Sequence, residues 1–325
     1  MNKFEYFQPK SVKSASKFIA KNKSSIAFAG GTDILGLMKD DIQNPEYIVN
    51  LKNIDNLSYI KFDENNALRI GALTKLNDIA ENTIVQERYT ALSEAISQLA
   101  TPQLRNVGTL GGNICQRPRC FYFRGDYDCI RKGGDECYAF YGNNKYHCII
   151  GGDPCYIVHP SDTAVVLIAM DAKFKIVNSK EERIVDGKDF FLLLEIDETK
   201  ENILEHGDLL TEIIIPPMDK NVVSRYIKVK ERGTWDFMLV SIAGSFKVDE
   251  KVNQDGKMAF GGVAPIPWLE NNLNKQLKGM VVNKANISKL SNSAFLEANA
   301  MEMNSYKLIM ARNLINKLFY ESFNL

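Results

Sequence analysis

The stretch AGGTD, Ala29 to Asp33, decides how the chain is read. It follows Ser25 to Phe28, a short apolar run that reads as a buried strand, and it opens into ILGLM, a helical pattern. A second small-residue loop, TLGGN from Thr109 to Asn113, comes about eighty positions later, directly after Gly108. Consecutive residues with little or no side chain let backbone N–H groups turn into one concavity, and such nests bind phosphate oxygens, helped by a helix N-terminus. Two of them can share one pyrophosphate. Glycine pairs also serve as plain turns. Neither loop matches G-x-G-x-x-G with an acid about 20 positions on, or G-x-x-x-x-G-K-[ST], which disfavours a Rossmann site or a P-loop. From these residues alone, a dinucleotide held in some other way and a pair of ordinary turns both remain open.

Working outward, the 325 residues are 45% hydrophobic and 10% aromatic, enough for a large core and for two or three domains. Lys plus Arg and Asp plus Glu are both 40, so no net field draws the chain to nucleic acid or to an anionic membrane. The N-terminus has no long apolar h-region and no window approaches about 18 uninterrupted apolar residues, so neither a secretory signal nor a spanning helix is expected. A cytoplasmic location is the default expectation, with a periplasmic one requiring export alongside a partner.

Ser11 is placed to cap a helix striped by Val12, Ala15, Phe18 and Ile19. Strands are expected over Tyr47 to Leu51, over Ile60 to Ile70 with a turn at Glu64-Asn65-Asn66, over Phe174 to Val177 and over Leu209 to Ile215. Helices are expected along Leu92, Ala95, Ile96 and Leu99, and over Thr163 to Met170 behind a Ser161 or Asp162 cap. Pro216-Pro217 marks a boundary. Beyond it, Tyr226 to Val229, Val240 to Phe246 and Met258 to Val263 read as strands, and Leu308, Ala311, Ile315, Leu318 and Phe319 as an amphipathic helix.

All six cysteines lie between Cys115 and Cys155. In a reducing compartment such a cluster points to metal or redox chemistry rather than to disulfides. Cys120, Cys129, Cys137 and Cys155 are separated by eight, seven and seventeen residues, without the C-x2-4-C knuckle usual for structural zinc; Cys115 with Cys120 comes nearest to it. Iron–sulfur clusters take four thiolates without a required local spacing, so spacing leaves both metals open. Arg117, Arg119, Arg124, Arg131 and Lys132 interleave with aromatic residues, but Asp126, Asp128, Asp135 and Glu136 cancel most of that charge, which speaks against a nucleic-acid patch. The basic residues are better suited to offset the negative charge of a cluster. Three histidines and no nucleophile elbow leave any chemistry to cofactors.

The set AGGTD, QLRNVGTLGGN, HPSD and FGGVAP, in this order over nearly the whole chain, resembles the FAD-binding medium subunit of the molybdenum hydroxylases, the xanthine dehydrogenase and carbon monoxide dehydrogenase group. The resemblance implies an α+β chain with a two-lobed FAD-binding fold of the vanillyl-alcohol oxidase type, then a C-terminal α+β domain of the carbon monoxide dehydrogenase flavoprotein type. The expected bounds are 1–55 and 56–216 for the two lobes, with an insertion loop at 115–155, and 217–325 for the last domain. It further implies that Ala29, Gly30, Gly31, Thr32 and Asp33, with Gly108, Thr109, Gly111, Gly112 and Asn113, are the pyrophosphate loops. Gly111 is expected to let the diphosphate approach. Asp162 would hydrogen-bond the flavin ribityl or its polar neighbours, unless it is a helix N-cap or serves as both. Lys230 would lie near the isoalloxazine and favour the reduced, anionic flavin, a solvated edge-strand lysine being the other reading.

A subset of the family, including the 4-hydroxybenzoyl-CoA reductase and periplasmic aldehyde oxidoreductase types, carries a loop similar to RPRC, C-x-x-K-GGDEC and PC-Y-I-V-HPSD. By that resemblance Cys120, Cys129, Cys137 and Cys155 ligate a 4Fe-4S cluster; Cys115 and Cys148 are left over and read as small buried residues, unless one of them substitutes as a ligand. The implied partners are a molybdopterin-binding large subunit and a 2Fe-2S small subunit, with NAD, ferredoxin, oxygen or another external acceptor. The rival expectations are a stand-alone FAD oxidase and a zinc-stapled binding module without enzymatic activity.

Overall fold

A computed structural model describes residues 1–250 and 252–325. Its first layer is small. Ser11 opens the helix Val12–Lys21 with a reciprocal capping box to Ser14, and that helix buries Ala15 and Ile19. Beside it lies a parallel three-stranded sheet in the order β1 (Glu5–Phe7), β3 (Tyr47–Asn50), β2 (Ser25–Phe28). Val49, Leu51, Ile54 and Leu57 complete this core. Parallel strands need a crossover, and the chain from β2 to β3 supplies one that contains AGGTD and the helix Ile34–Lys39.

The second sheet is antiparallel and five-stranded, β4 (Ile60–Phe62), β5 (Leu68–Gly71), β8 (Leu209–Ile215), β6 (Lys173–Val177) and β7 (Glu182–Asp186) in that order. The strand β8 is central and almost wholly buried; five of its seven residues are apolar, and the buried Glu212 within it pairs with Arg69 at 2.7 Å. The helices Thr90–Ser97 and Asp162–Ala169 pack against each other in the same core. Every residue of the second helix is buried, and from Ala164 to Ala169 it is apolar all round rather than amphipathic.

The C-terminal part is an antiparallel sheet, β9 (Val222–Val229), β10 (Val240–Asp249) and β11 (Val252–Gly261), with β10 in the middle. The helix Tyr306–Phe323 covers one face through Ala311, Leu314, Ile315, Leu318 and Phe319. The helix Asp162–Ala169 packs against β10 and β11 as well as within the second core. This buried helix therefore joins the two larger parts, and its N-terminus opens onto the cavity described next. Among the described residues, no helix is long and apolar enough to cross a membrane.

Candidate flavin site and cysteine quartet

The two glycine loops meet. A Cβ added to Gly30 would overlap the carbonyl oxygen of Val107 and lie 2.9 Å from its carbonyl carbon and 3.1 Å from the Cα of Gly108. Only a residue without a side chain permits this approach. Gly31 follows with φ +74°, and the chain turns there into the helix Ile34–Lys39. Among the described residues, the amides of Gly30, Gly31, Thr32 and Asp33 have no hydrogen-bond acceptor, so four consecutive donors are free to face a ligand.

The second loop is built differently from the expected nest. Leu110 N donates to Thr74 O (3.0 Å), Gly111 N to Ala72 O (2.8 Å), Gly112 N to the Thr109 hydroxyl (3.2 Å) and Asn113 N to Thr109 O (2.9 Å). Those amides are spent on capping and anchoring the short helix Leu110–Ile114. The Gly111 position is also explained by packing, because a Cβ there would meet the Ala72 Cβ at 2.8 Å and its carbonyl oxygen at 3.0 Å. Gly111 does not line the cavity; Gly108, Thr109, Gly112 and Asn113 do. Asn113 Oδ1 accepts from the Ser161 (2.6 Å) and Thr163 (2.7 Å) hydroxyls, tying this loop to the HPSD motif.

The cavity between these loops holds about 800 Å³, toward the upper end of the roughly 300–1,000 Å³ usual for ligand pockets. Ala29 to Asp33 form one wall, Asp162 lies on another, and Arg232, Trp235, Asp236 and Phe237 from the turn after β9 close the far side. Sequence reasoning missed this last group, for which the only sequence signal was the aromatic pair within RGTWDF.

Asp33 lines the cavity, but its carboxylate is taken by the cysteine segment. Oδ1 faces the guanidiniums of Arg124 (2.8 Å) and Arg119 (2.9 Å), and Oδ2 accepts from the Arg117 amide (2.8 Å). Ser161, not Asp162, is the helix N-cap, its hydroxyl accepting from Ala164 N at 3.0 Å. The buried carboxylate of Asp162 accepts from the Tyr226 hydroxyl and pairs with Lys228 Nζ at 3.0 Å. Lys230, expected near the flavin ring, does not line the cavity. It lies just past the end of β9, and it is Lys228, within the strand, that reaches Asp162.

The stretch Cys115 to Arg119 forms part of the cavity wall through Cys115, Gln116, Arg117 and Arg119, and then continues directly into Cys120. Cys120 packs in one small core with Cys129 and in another with Cys137 and Cys155. All six cysteines are free thiols. The Cys137 thiol is brought down to about 6, chiefly by a hydrogen bond from Cys155 and also by the Tyr156, Ala139 and Phe140 amides, and Cys155 is pushed up in return. Burial pushes Cys120 up to about 11, and its Sγ lies 3.3 Å from Nε2 of the buried His147. Burial likewise pushes Cys115 and Cys148 up to about 12. Among the described residues, no three His, Cys, Asp or Glu side chains are grouped to hold a single metal ion. The donor set is soft and thiol-rich, which suits an iron–sulfur cluster, whose four thiolates each bind a different iron and need not meet at one point.

A glycine-built cavity backed by free amides and closed by the turn after β9 suits a ligand that carries phosphate groups. Residues 2–218 match the family described as FAD binding domain in molybdopterin dehydrogenase, and residues 225–322 match the CO dehydrogenase flavoprotein C-terminal domain. The chain is 31% identical to the aldehyde oxidoreductase FAD-binding subunit PaoB of Escherichia coli over 90% of both chains. It is 27% identical to the carbon monoxide dehydrogenase medium chain of Hydrogenophaga pseudoflava, over 90% of this chain and 86% of that one. A solved structure of carbon monoxide dehydrogenase from Hydrogenophaga pseudoflava superposes with a TM-score of 0.79 at 24% identity, covering 99% of this chain and 98% of the other. The chain belongs to the family of FAD-binding medium subunits of the molybdenum hydroxylases, and as such it is the flavin subunit of an oxidoreductase.

Proposed function

We propose that this chain relays electrons between a molybdopterin-binding large subunit with its 2Fe-2S small subunit and an external acceptor such as NAD, ferredoxin or oxygen. The domain bounds we propose are 1–55, 56–216 and 217–325, with the loop 115–155 serving the cluster. When bound, FAD supplies one- and two-electron chemistry and a 4Fe-4S cluster one-electron chemistry. The chain's own residues hold and tune these groups. The free amides of Gly30 to Asp33 bind the diphosphate, with Thr109, Gly112 and Asn113 facing it from the second loop. Asp162, paired with Lys228, offers its remaining lone pairs to the flavin's polar chain. Cys120, Cys129, Cys137 and Cys155 hold the iron.

The observation that carries this reading is the unbroken run of chain from the cavity wall at Cys115–Arg119 into Cys120. A flavin in the cavity and iron in the quartet would be neighbours, as an electron relay requires. Anaerobically purified protein should show flavin absorption bands on a broad iron–sulfur shoulder, with iron present. Flavin without iron would favour a stand-alone oxidase, and zinc without flavin a binding module. Cys137→Ser should lose most of the iron while keeping much of the FAD; iron analysis beside flavin absorbance checks this, and unchanged iron would refute the ligand set.

A further inference from the structure

Arg131 follows Cys129 by two residues, on the 3-10 turn Ile130–Lys132. Its side chain is 0% exposed. The guanidinium donates to Glu198 O, to Thr199 O (3.3 Å) and to Glu201 Oε1, and lies over the Phe123 ring at 5.6 Å. Its Nε–H is buried and, among the described residues, has no acceptor. A buried unpaired donor on a charged group is costly and calls for an anion nearby.

The local carboxylates do not fully meet that need. Glu201 Oε1 is shared with Arg117 Nε at 3.1 Å, and Asp33 is shared by Arg119 and Arg124. Four arginines thus lean on two carboxylates. Arg117, Arg119 and Arg124 are partly open to solvent and their excess charge is screened, whereas the charge of Arg131 is not. Arg131 is also tied to the quartet by packing, since the Phe123 ring beneath it shares a small core with Cys129 and Cys120. With no anion beside its unpaired Nε–H this buried cation would be a liability; beside thiolates on iron it is matched.

We propose that Arg131 is the buried counter-charge of the cysteine quartet, a positioning residue fixed by Glu201 that raises the reduction potential of the iron–sulfur group those cysteines hold. The inference rests on the cluster reading above. The test is an anaerobic redox titration of the purified complex followed by electron paramagnetic resonance, with iron counted per chain and the quartet's signal assigned by its loss in Cys137→Ser. In Arg131→Met the reduced-to-oxidised ratio at a fixed potential should fall about tenfold, which is ~59 mV for a one-electron couple. Arg131→Lys should stay within about twofold of the wild type, and the flavin couple should move far less than the cluster. Glu201→Gln removes the partner acid and should shift the cluster the opposite way, so the idea stays testable if Arg131→Met does not fold. An iron-replete Arg131→Met that titrates like the wild type, or variants that both shift in one direction, would overturn the proposal. A wild-type complex without iron would instead defeat the cluster reading on which it stands.

Discussion

Gly30→Ala will purify with less than about a tenth of the wild-type FAD, because one methyl group at this position separates the two loops that form the flavin cavity. The added carbon has no free volume, since it overlaps the carbonyl oxygen of Val107 and crowds the Gly108 Cα. Both neighbours are backbone, so no rotamer change relieves the clash. Overpacking of this kind costs about 1–3 kcal/mol, which a chain with a core of this size should survive. The loss should fall mainly on the ligand, because displacing Gly30 misaims the run of free amides from Gly30 to Asp33. Flavin absorbance per chain, with circular dichroism to confirm folding, is the measurement. Gly233→Ala is the matched control, since a Cβ there meets nothing within 4 Å and its FAD content should be unchanged. Retention of normal flavin by folded Gly30→Ala would remove the first loop from the diphosphate site.

Much of the scaffold was legible because its signals were local. Ser11 caps where a serine before an apolar stripe should, and the mostly apolar run Leu209–Ile215 is the buried central strand. Elements that depend on distant partners were not legible. The strand β7, ERIVD, alternates exposed and half-buried residues at a sheet edge, and its charged residues hide a pairing fixed only by β6. The hairpin arms of β10 and β11 run past the expected ends, through Lys247 and Asp255, because ladder pairing carries polar residues that no apolar run announces. At the site, the glycine loops were visible, but the uneven use of their amides was not. That difference lies in Ala72 and Thr74, more than thirty residues from the loop they anchor. In the same way, the engagement of Asp33 by Arg119 and Arg124 joins residues about ninety positions apart. It turns an expected ligand contact into a joint between the flavin loop and the cysteine segment.

The pair at the base of the cavity carries the largest stability effect. Lys228 and Asp162 have side-chain exposures of 1% and 3%, with Nζ 3.0 Å from Oδ2. Burial and the neighbouring carboxylate push the Tyr226 phenol well above its ordinary value, so it stays protonated and donates to the same carboxylate. Taking the lysine away leaves an ionised or forcibly protonated acid at the N-terminus of the helix that joins the two larger parts of the molecule. Removing one member of a buried ion pair typically costs 3–5 kcal/mol, so Lys228→Met should lower the unfolding free energy by about that amount. Replacing both, as Lys228→Met with Asp162→Asn, removes the stranded charge and should recover at least about half of the loss. Denaturant unfolding of the four proteins in the cycle, each with matched FAD content, measures the coupling directly. The helix dipole alone supplies less than about 1–2 kcal/mol to a carboxylate at this position. If Lys228→Met costs no more than that, Asp162 is held by the helix end and the flavin rather than by its lysine, and the double variant should then be the less stable of the two.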